Sequence, residues 1–143
     1  MDELDQKIIR LLRENCIRPF VKIANELDVT EGTIRQRVKK LVSGGVIKKF
    51  TVEVNAEALG LPVVAFIIAS VKPGMMNQVV EQLTKVERVM EVHQIHTFGD
   101  ILLKVRAPSL NALGEMIATK IQAVEALTVN YVIPVLNVWK DSG

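Results

Sequence analysis

Residues 20–45 read FVKIANELDVTEGTIRQRVKKLVSGG, a segment with two apolar patterns of helical spacing separated by a short turn. The first pattern predicts a helix over residues 20–27, and its inward face is Phe20, Ile23, Ala24 and Leu27. The second predicts a helix after the N-cap Thr30, and its buried stripe is Ile34, Val38 and Leu41. Two short helices joined in this way form a helix-turn-helix, whose second helix lies in the major groove of DNA.

The residues at the turn and at the end of this segment fit that motif. Asp28 belongs to a residue type that tolerates left-handed backbone, as a tight turn requires. Ala24 is small where the two helices must approach closely, and Gly44-Gly45 ends the second helix.

The outer face of the second helix has the chemistry of a DNA-binding surface. Arginine can bind guanine with two hydrogen bonds and glutamine can bind adenine, so Arg35 and Gln36, with Thr33, are candidates for base contacts. Arg37, Lys39 and Lys40 are candidates for phosphate contacts. A solvated basic helix face is the structural alternative, and a charge run alone would favour it. The charge distribution of the chain, described next, favours DNA.

The net charge of +2 is divided unevenly along the chain. Residues 1–50 hold eleven Lys and Arg against seven Asp and Glu, a net charge of +4, whereas residues 51–143 hold seven against nine, a net charge of −2. A basic part beside a mildly acidic part indicates a polyanionic partner for the first fifty residues.

The helix-turn-helix segment is flanked by a further helix and by an alternating segment. Asp2 can cap a helix with apolar positions at Leu4, Ile8, Leu11 and Leu12, and Pro19 separates it from the next helix. Residues 46–55 alternate and predict a strand or strand-turn, either a DNA-contacting wing with Lys48 and Lys49 or a strand that links two domains. We therefore expect a winged-helix-like DNA-binding domain with its linker strand over residues 1–55 and a second domain over residues 56–143.

The second part of the chain predicts alternating strands and helices. Strands are expected over residues 63–71, 89–97, 101–107 and 127–140, with Pro134 at an edge or a bulge. Helices are expected over residues 75–87, with the stripe Met76, Val79, Val80 and Leu83, and from the N-cap Ser109 to residue 123, with the stripe Leu110, Leu113, Ile117 and Ile121. The order β-α-β-β-α-β is that of the ferredoxin-like unit, so the fold class is α+β.

One face of such a sheet is left without helices. The strand VVAFIIASV, residues 63–71, is apolar on both faces, so each of its two faces must be covered by other protein surface. Because exposed apolar patches of this size are usually interfaces, we expect the second domain to form a homodimer through the open face.

The whole chain resembles the Lrp/AsnC family of transcription regulators. The resemblance rests on LDQKIIRLL at residues 4–12, VKIA at 21–24, TEGTIRQRVKKL at 30–41, GVIK at 45–48 and Leu59-Gly60. It implies sequence-specific binding of double-stranded DNA, with Thr30, Glu31, Thr33, Arg35, Gln36, Arg37, Lys39 and Lys40 at the DNA. It also implies a homodimer, an octamer of four dimers, and an amino-acid effector bound between dimers.

The resemblance further implies that the effector site lies near Thr97, Gly99 and Asp100. The family commonly has Thr-Gly, one or two residues and then Asp before its third strand. In this chain Thr97-Phe98-Gly99-Asp100 has the bulky Phe98 in place of the usual glycine and a shorter turn. Asp100 is a candidate to hold an α-amino group, and the departure leaves open a different ligand or none.

Several other classes of protein are disfavoured by the sequence. His93 and His96 are the two histidines and are expected on opposite faces of one strand, so no catalytic or metal-binding pair is expected, and no enzyme motif is present. Cys16 is the lone cysteine and reads as a small hydrophobe. The acidic start and the lack of a long apolar run predict a cytoplasmic protein without contact to a membrane. A sequence-tolerant architectural DNA-binding protein, or a small-molecule binding module without gene-specific regulation, remains the alternative.

Overall fold

The computed structural model of the chain describes residues 1–141. The chain divides into two compact units, Met1–Glu53 and Val54–Gly143, and the boundary predicted after residue 55 lies close to that division. Nowhere in residues 1–141 is there a helix both long and apolar enough to cross a lipid bilayer.

The first unit is built from three helices, α1 (Glu3–Glu14), α2 (Phe20–Leu27) and α3 (Glu31–Ser43). Their buried side chains form one core, which consists of Ile8, Leu11, Leu12, Ile23, Ala24, Ile34 and Val38. These residues come from the apolar stripes that the sequence predicts, so the three helices and their packing faces are confirmed.

Local capping defines where these helices begin and turn. Asp2 accepts a hydrogen bond from the backbone N–H of Asp5, whose carboxylate in turn accepts from the N–H of Asp2, and this capping box begins α1. Asp28 has the left-handed conformation (φ 56°) that the tight turn between α2 and α3 requires. Thr30 caps α3 through Oγ1, which accepts from the N–H of Thr33 at 3.2 Å. The predicted cap and turn residues are confirmed.

The strand and wing predicted over residues 46–55 are not formed. No strand is present in this segment, and Val46, Phe50, Val52 and Val54 are exposed. Ile47 packs partly against the helical core, and the Thr51 carbonyl oxygen accepts a hydrogen bond from Cys16 Sγ at 3.4 Å. Alternating side chains make a strand only where a neighbouring strand satisfies the backbone groups, and residues 46–55 have no such neighbour within the described chain.

The second unit is a β-α-β-β-α-β sandwich of one sheet and one helical layer. Its elements are β1 (Val63–Val71), α4 (Met76–Thr84), β2 (Val89–Gln94), β3 (Ile101–Ala107), α5 (Leu110–Met116) and β4 (Leu127–Pro134). A single π-helical turn, Ile117–Ile121, continues α5. The four strands form an antiparallel sheet in the order β2-β3-β1-β4, which confirms the predicted topology and places Pro134 at the end of an edge strand.

The core of this unit lies between the helices and one face of the sheet. Alternate residues of the two central strands are fully buried there, and they are Ala65, Ile67, Ala69, Ile101, Leu103, Val105 and Ala107. From the helical layer come Val79, Leu83, Leu113, Met116, Ile117 and Ile121. Leu110 was expected in the buried stripe but is 64% exposed, because it is the first residue of α5 and follows an exposed turn.

Three predicted boundaries extend too far. Helix α4 ends at Thr84 rather than at residue 87, since the chain turns at Lys85. Strand β2 ends at Gln94 rather than at residue 97, because Thr97 and Phe98 have positive φ angles that a strand cannot contain, and His96 therefore lies in a loop. Strand β4 ends at Pro134 rather than at residue 140, because its neighbour β1 begins at Val63 and the Val135 N–H already donates to the Val64 carbonyl at that end.

The second face of the sheet carries no helix. Residues paired directly across two strands point to the same side, so the alternate positions Phe66 and Ile68 of β1 share this face with Ile133 and Tyr131 of β4. Leu102, paired with Ile68, lies on it as well. We call this surface, centred on Phe66, Ile68, Leu102, Tyr131 and Ile133, the open sheet face.

Candidate nucleic-acid interface and effector loop

The candidate DNA-binding side chains lie on or immediately before α3, and the cap Thr30 determines where that helix begins. Thr30 Oγ1 accepts from the backbone of Thr33 and shares a hydrogen bond of 2.8 Å with Thr33 Oγ1. Both hydroxyls therefore help to form the cap. The free backbone N–H groups of the first turn give the helix start a partial positive charge, which favours a phosphate.

Arg35 is exposed on the second turn of α3 and is held from two sides. Its Nη2 donates to Glu31 Oε1 at 2.6 Å, and its Cζ lies 5.5 Å from the centroid of the Phe20 ring. The second contact is within the range of a cation–π interaction. The guanidinium thus keeps a defined position, although its side chain is 64% exposed.

Arg37 occupies the side of α3 that faces α1. Its Nη1 donates to Asp2 Oδ2 at 2.5 Å and to Asp5 Oδ1 at 3.1 Å. The two carboxylates raise the pKa of Arg37, Asp2 by the larger amount. The backbone hydrogen bond from Asp5 and the guanidinium of Arg37 lower the pKa of Asp2. In the free protein Arg37 therefore ties α1 to α3, a use that competes with the predicted phosphate contact.

The remaining candidate side chains of α3 are available to a ligand. Gln36, Lys39 and Lys40 are exposed, and in the part of the chain that the structure describes they form no ion pair or side-chain hydrogen bond. Two lysines with strongly hydrated, flexible ammonium groups are suited to phosphates rather than to bases. Lys48 and Lys49 are also exposed, but they lie in a segment without regular secondary structure rather than in a wing.

The sequence analysis did not predict the contact of Phe20 with Arg35. Phe20 was assigned to the inward face of its helix, and the ring does pack partly against the core, yet it also contacts the Arg35 guanidinium. The spacing of Glu31 and Arg35, four residues apart on a helix, was a signal for their ion pair. The contact between Phe20 and Arg35 joins two helices, so no local pattern shows it.

The predicted effector residues Thr97, Gly99 and Asp100 share the loop between β2 and β3. Thr97 (φ 93°) and Phe98 (φ 63°) both have left-handed backbone, which is strained for such side chains. Asn130 Nδ2 holds this conformation by donating to the Phe98 carbonyl oxygen at 3.0 Å and to Ser70 Oγ at 2.7 Å. The Phe98 ring, 71% exposed, packs edge-on against Tyr131 with 6.2 Å between the ring centroids.

Gly99 and Asp100 attach this loop to β1. A Cβ atom on Gly99 would lie 2.7 Å from Ile68 Cγ2 and 2.8 Å from the Ala69 carbonyl oxygen, so the close approach requires glycine. The Asp100 carboxylate accepts from the Val71 N–H at 2.8 Å through Oδ2, and the Asp100 N–H donates to the Ala69 carbonyl at 2.9 Å. Asp100 Oδ2 therefore already holds the end of β1, and Oδ1 is the carboxylate oxygen that remains for a ligand.

Charged side chains border the open sheet face at β2 and β3. Glu91 Oε1 lies 2.8 Å from His93 Nε2, and Glu91 Oε2 lies 3.4 Å from Lys104 Nζ. The hydrogen bond with His93 and the nearby Lys104 lower the pKa of Glu91. Among residues 1–141 no group of three or more His, Cys, Asp or Glu side chains could hold a metal ion.

Both units match known domains. Residues 1–42 match the AsnC-type helix-turn-helix domain, and residues 64–143 match the Lrp/AsnC ligand binding domain. The chain is 38% identical over 117 residues to the HTH-type transcriptional regulator FL11 of Pyrococcus abyssi, which covers 82% of this chain and 78% of that protein. It is 31% identical over 143 residues to an HTH-type transcriptional regulator of Methanocaldococcus jannaschii, and that alignment covers 100% of this chain and 97% of that protein.

Solved structures share the fold across the whole chain. The structure of Escherichia coli AsnC superposes with a TM-score of 0.91 at 25% identity, and 99% of this chain and 95% of that chain are covered. A transcriptional regulator of Neisseria meningitidis, solved as an L-Met complex, superposes with a TM-score of 0.93 at 20% identity, with 99% and 93% covered. With two matched domains in the order that the family has them, this chain belongs to the Lrp/AsnC family of transcriptional regulators.

Proposed function

We propose that the protein regulates transcription as a homodimer that binds specific sequences in double-stranded DNA. The observation that carries the proposal is the outer face of α3, where Arg35 is exposed in a defined position near two exposed lysines. Two such helices in a symmetric dimer would contact half-sites about one helical turn, or a small number of turns, apart.

Arg35 and Gln36 are the side chains that we assign to base edges. Thr30, Thr33 and the start of α3 support a nearby phosphate, and Lys39 and Lys40 hold further phosphates. Arg37 is expected to contribute less to phosphate binding than Lys39, because its guanidinium is already paired with Asp2 and Asp5.

The open sheet face supports the homodimer. Its central side chains are apolar, and two of them, Tyr131 at 49% and Ile133 at 46%, remain exposed in a single chain. Apolar side chains that cluster on one exposed face are typical of an interface. Assembly of four such dimers into an octamer is part of the proposal and rests on family membership.

An amino acid is the effector class that we propose for the second unit. The support is the matched ligand binding domain and the L-Met complex of the Neisseria regulator with the same fold. The candidate residues are Thr97, Gly99 and the remaining oxygen of Asp100. An effector can shift assembly only as far as it binds one assembly state better than another. Such a regulator acts where the chromosome lies, which for the archaea that carry the relatives is the cytoplasm.

Selection of bound duplexes from a random DNA pool tests this function. We expect enrichment of a sequence with two related half-sites, and the selection should be repeated with each amino acid while the molecular mass is monitored. An architectural binder would enrich no sequence, and its affinity would fall steeply with salt. A small-molecule module would bind an amino acid but would retain no DNA.

Two substitutions in α3 separate base contacts from phosphate contacts. Arg35→Ala should weaken binding to the selected sequence by about 1–3 kcal/mol and relax the choice of base at one position of each half-site. Lys39→Ala should weaken binding to all sequences alike and reduce the salt dependence. Unchanged binding of both variants in a titration by fluorescence anisotropy would show that α3 is not the recognition helix.

A further inference from the structure

We infer that Glu31 and Phe20 are positioning residues that set the sequence specificity of this protein by holding the Arg35 guanidinium ready for a base. The inference rests on the proposed function, since it concerns how that function achieves discrimination. It assigns Glu31 a role through Arg35, whereas the sequence analysis placed Glu31 among the residues that touch DNA.

The first step is the geometry around Arg35. Glu31 Oε1 accepts from Nη2 at 2.6 Å, and the Phe20 ring lies under the guanidinium with 5.5 Å from its centroid to Cζ. The ring itself is supported, because Phe20 is half-buried and packs against the core of the first unit. The two contacts come from different helices, α2 and α3, and together they restrict both the position and the plane of the guanidinium.

The second step is that the ion pair itself contributes little to fold stability. The side chains of Arg35 and Glu31 are 64% and 48% exposed, and ion pairs at such exposure contribute little to folding because water and salt screen them. As an acidic residue in the first turn, Glu31 stabilises the start of α3 through the helix dipole, as Glu3 does in α1, and its negative charge repels a DNA phosphate there. What distinguishes Glu31 from Glu3 is its hydrogen bond to Arg35, the candidate base-contacting residue.

The third step is the free energy of ordering on binding. A free arginine side chain has many rotamers, and a base contact with two hydrogen bonds requires one of them. Holding the guanidinium in place before DNA arrives removes that ordering from the binding step, as preorganisation does in other interfaces. One Nη2 hydrogen is used by Glu31, so the other guanidinium donors remain for a base.

The expected signature separates this role from one of supporting the fold, and the effect of Phe20→Leu separates it from a direct contact of Glu31 with DNA. Without Glu31 the arginine contacts the base less well, while phosphates meet one negative charge fewer. Glu31→Gln should therefore lower the preference for the selected sequence and leave binding to random DNA unchanged or tighter. A residue that merely supports the fold would weaken both DNAs together.

The experiment measures dissociation constants of the full-length protein for a duplex enriched from a random pool and for duplex DNA of random sequence. We expect Glu31→Gln to lower the ratio of the two affinities about twofold and Phe20→Leu to lower it about twofold to fivefold, the effects that an exposed ion pair on a helix and an exposed cation–π contact can have on the position of the guanidinium. Phe20→Tyr keeps an aromatic ring under the guanidinium and should retain the ratio of the unsubstituted protein.

Glu3→Gln is the matched control. Glu3 is the first residue of α1 as Glu31 is of α3, and it pairs with Lys7 four residues later at 3.3 Å. The substitution removes the same charge from the same helical position, away from Arg35, and should leave the ratio unchanged. Circular dichroism establishes that each variant is folded. If Phe20→Leu is not, Glu31→Gln in an Arg35→Ala background decides, because a residue that acts through Arg35 no longer changes the ratio when Arg35 is absent, whereas a direct contact still does.

The outcomes distinguish this inference from the proposed function. If the unsubstituted protein enriches a sequence but Glu31→Gln keeps the full ratio, the positioning role is wrong and the regulator function stands. An equal loss in Glu3→Gln would also overturn the inference, since the effect would then be one of net charge. If the unsubstituted protein enriches no sequence, both proposals fail.

Discussion

At the scale of single residues, the same side-chain type has different uses at two positions of one helix that are only two residues apart. Arg35 points to solvent beside Glu31 and Phe20, whereas Arg37 is partly covered and binds the carboxylates of Asp2 and Asp5. The difference follows from what lies opposite each position, solvent in one case and the start of α1 in the other. Charge content alone therefore overstates the number of cations that α3 offers to DNA.

Asp2 is a residue whose charge should affect stability in acid. Its folded-state pKa lies below the usual 3.8, so the carboxylate contributes stability above about pH 4 and loses it as the pH falls through the lowered pKa. Asp2→Asn keeps an N-cap oxygen but removes the charge that Arg37 binds. The melting temperature should be lower than that of the unsubstituted protein at pH 7, and the difference should vanish in acid.

Thermal melts followed by circular dichroism from about pH 2.5 to 7 check this prediction. Glu3→Gln removes a carboxylate from the same turn that does not contact Arg37. Glu3→Gln should therefore lower the melting temperature at pH 7 by less than Asp2→Asn does. A difference for Asp2→Asn that is constant across the whole pH range would mean that the cap geometry, rather than the ion pair, is what the substitution disturbs.

At the scale of elements, the helices and strands that were predicted correctly are those that nearby residues determine. The three helices of the first unit have side-chain caps or a turn residue within a few positions of their ends, together with apolar stripes of helical period. Strand β1 was predicted with its observed bounds, because nine residues rich in β-branched side chains fit a buried central strand. These elements needed no information from distant residues.

The elements and contacts that were mispredicted depend on distant partners. Residues 46–55 alternate as a strand does, but a strand also needs a neighbour for its backbone groups. The ion pairs of Arg37 join residues 32 and 35 positions apart, and the contact between Phe20 and Arg35 joins two helices. The sequence therefore yields candidate site residues, which stay a prediction, but it does not show the partners that these side chains have in the folded chain.

Helix α5 allows a test of whether the observed burial of a side chain, rather than its place in an apolar stripe, determines its contribution to stability. Leu110 and Leu113 both belong to the apolar stripe, yet Leu110 is 64% exposed and Leu113 is 4% exposed. We expect Leu110→Gln to leave the free energy of unfolding nearly unchanged and Leu113→Ala to lower it by about 2–5 kcal/mol, since the second substitution opens a cavity. Urea unfolding of both variants measures the difference, and equal losses would place Leu110 in the core after all.

At the scale of the whole molecule, both units are small for independent domains. The first unit spans Met1–Glu53, a size at which a single core gives a marginal domain. The second unit leaves the open sheet face without helices, whereas the central strands bury their other face against the helical layer. Association of two chains through that face would bury apolar surface that one chain cannot cover by itself.

Dimerisation through the open sheet face is therefore the prediction that concerns the molecule as a whole. Ile133 pairs directly with Phe66 on this face and is 46% exposed, so a lysine there can be solvated in a single chain. In a symmetric dimer Ile133→Lys would introduce two buried like charges, one from each chain. We expect it to raise the dimer dissociation constant at least about tenfold, as loss of a central apolar contact does in other interfaces.

Sedimentation equilibrium at micromolar concentration measures this effect, and Leu110→Lys is its matched control. Leu110 is likewise an exposed apolar side chain, but it lies on α5, in the helical layer on the other side of the sheet. The control should keep the dimer of the unsubstituted chain, because its lysine stays away from the open sheet face. If Ile133→Lys also remains dimeric, the chains associate through another surface, and if the unsubstituted protein sediments as a monomer, the two α3 helices cannot contact two half-sites together.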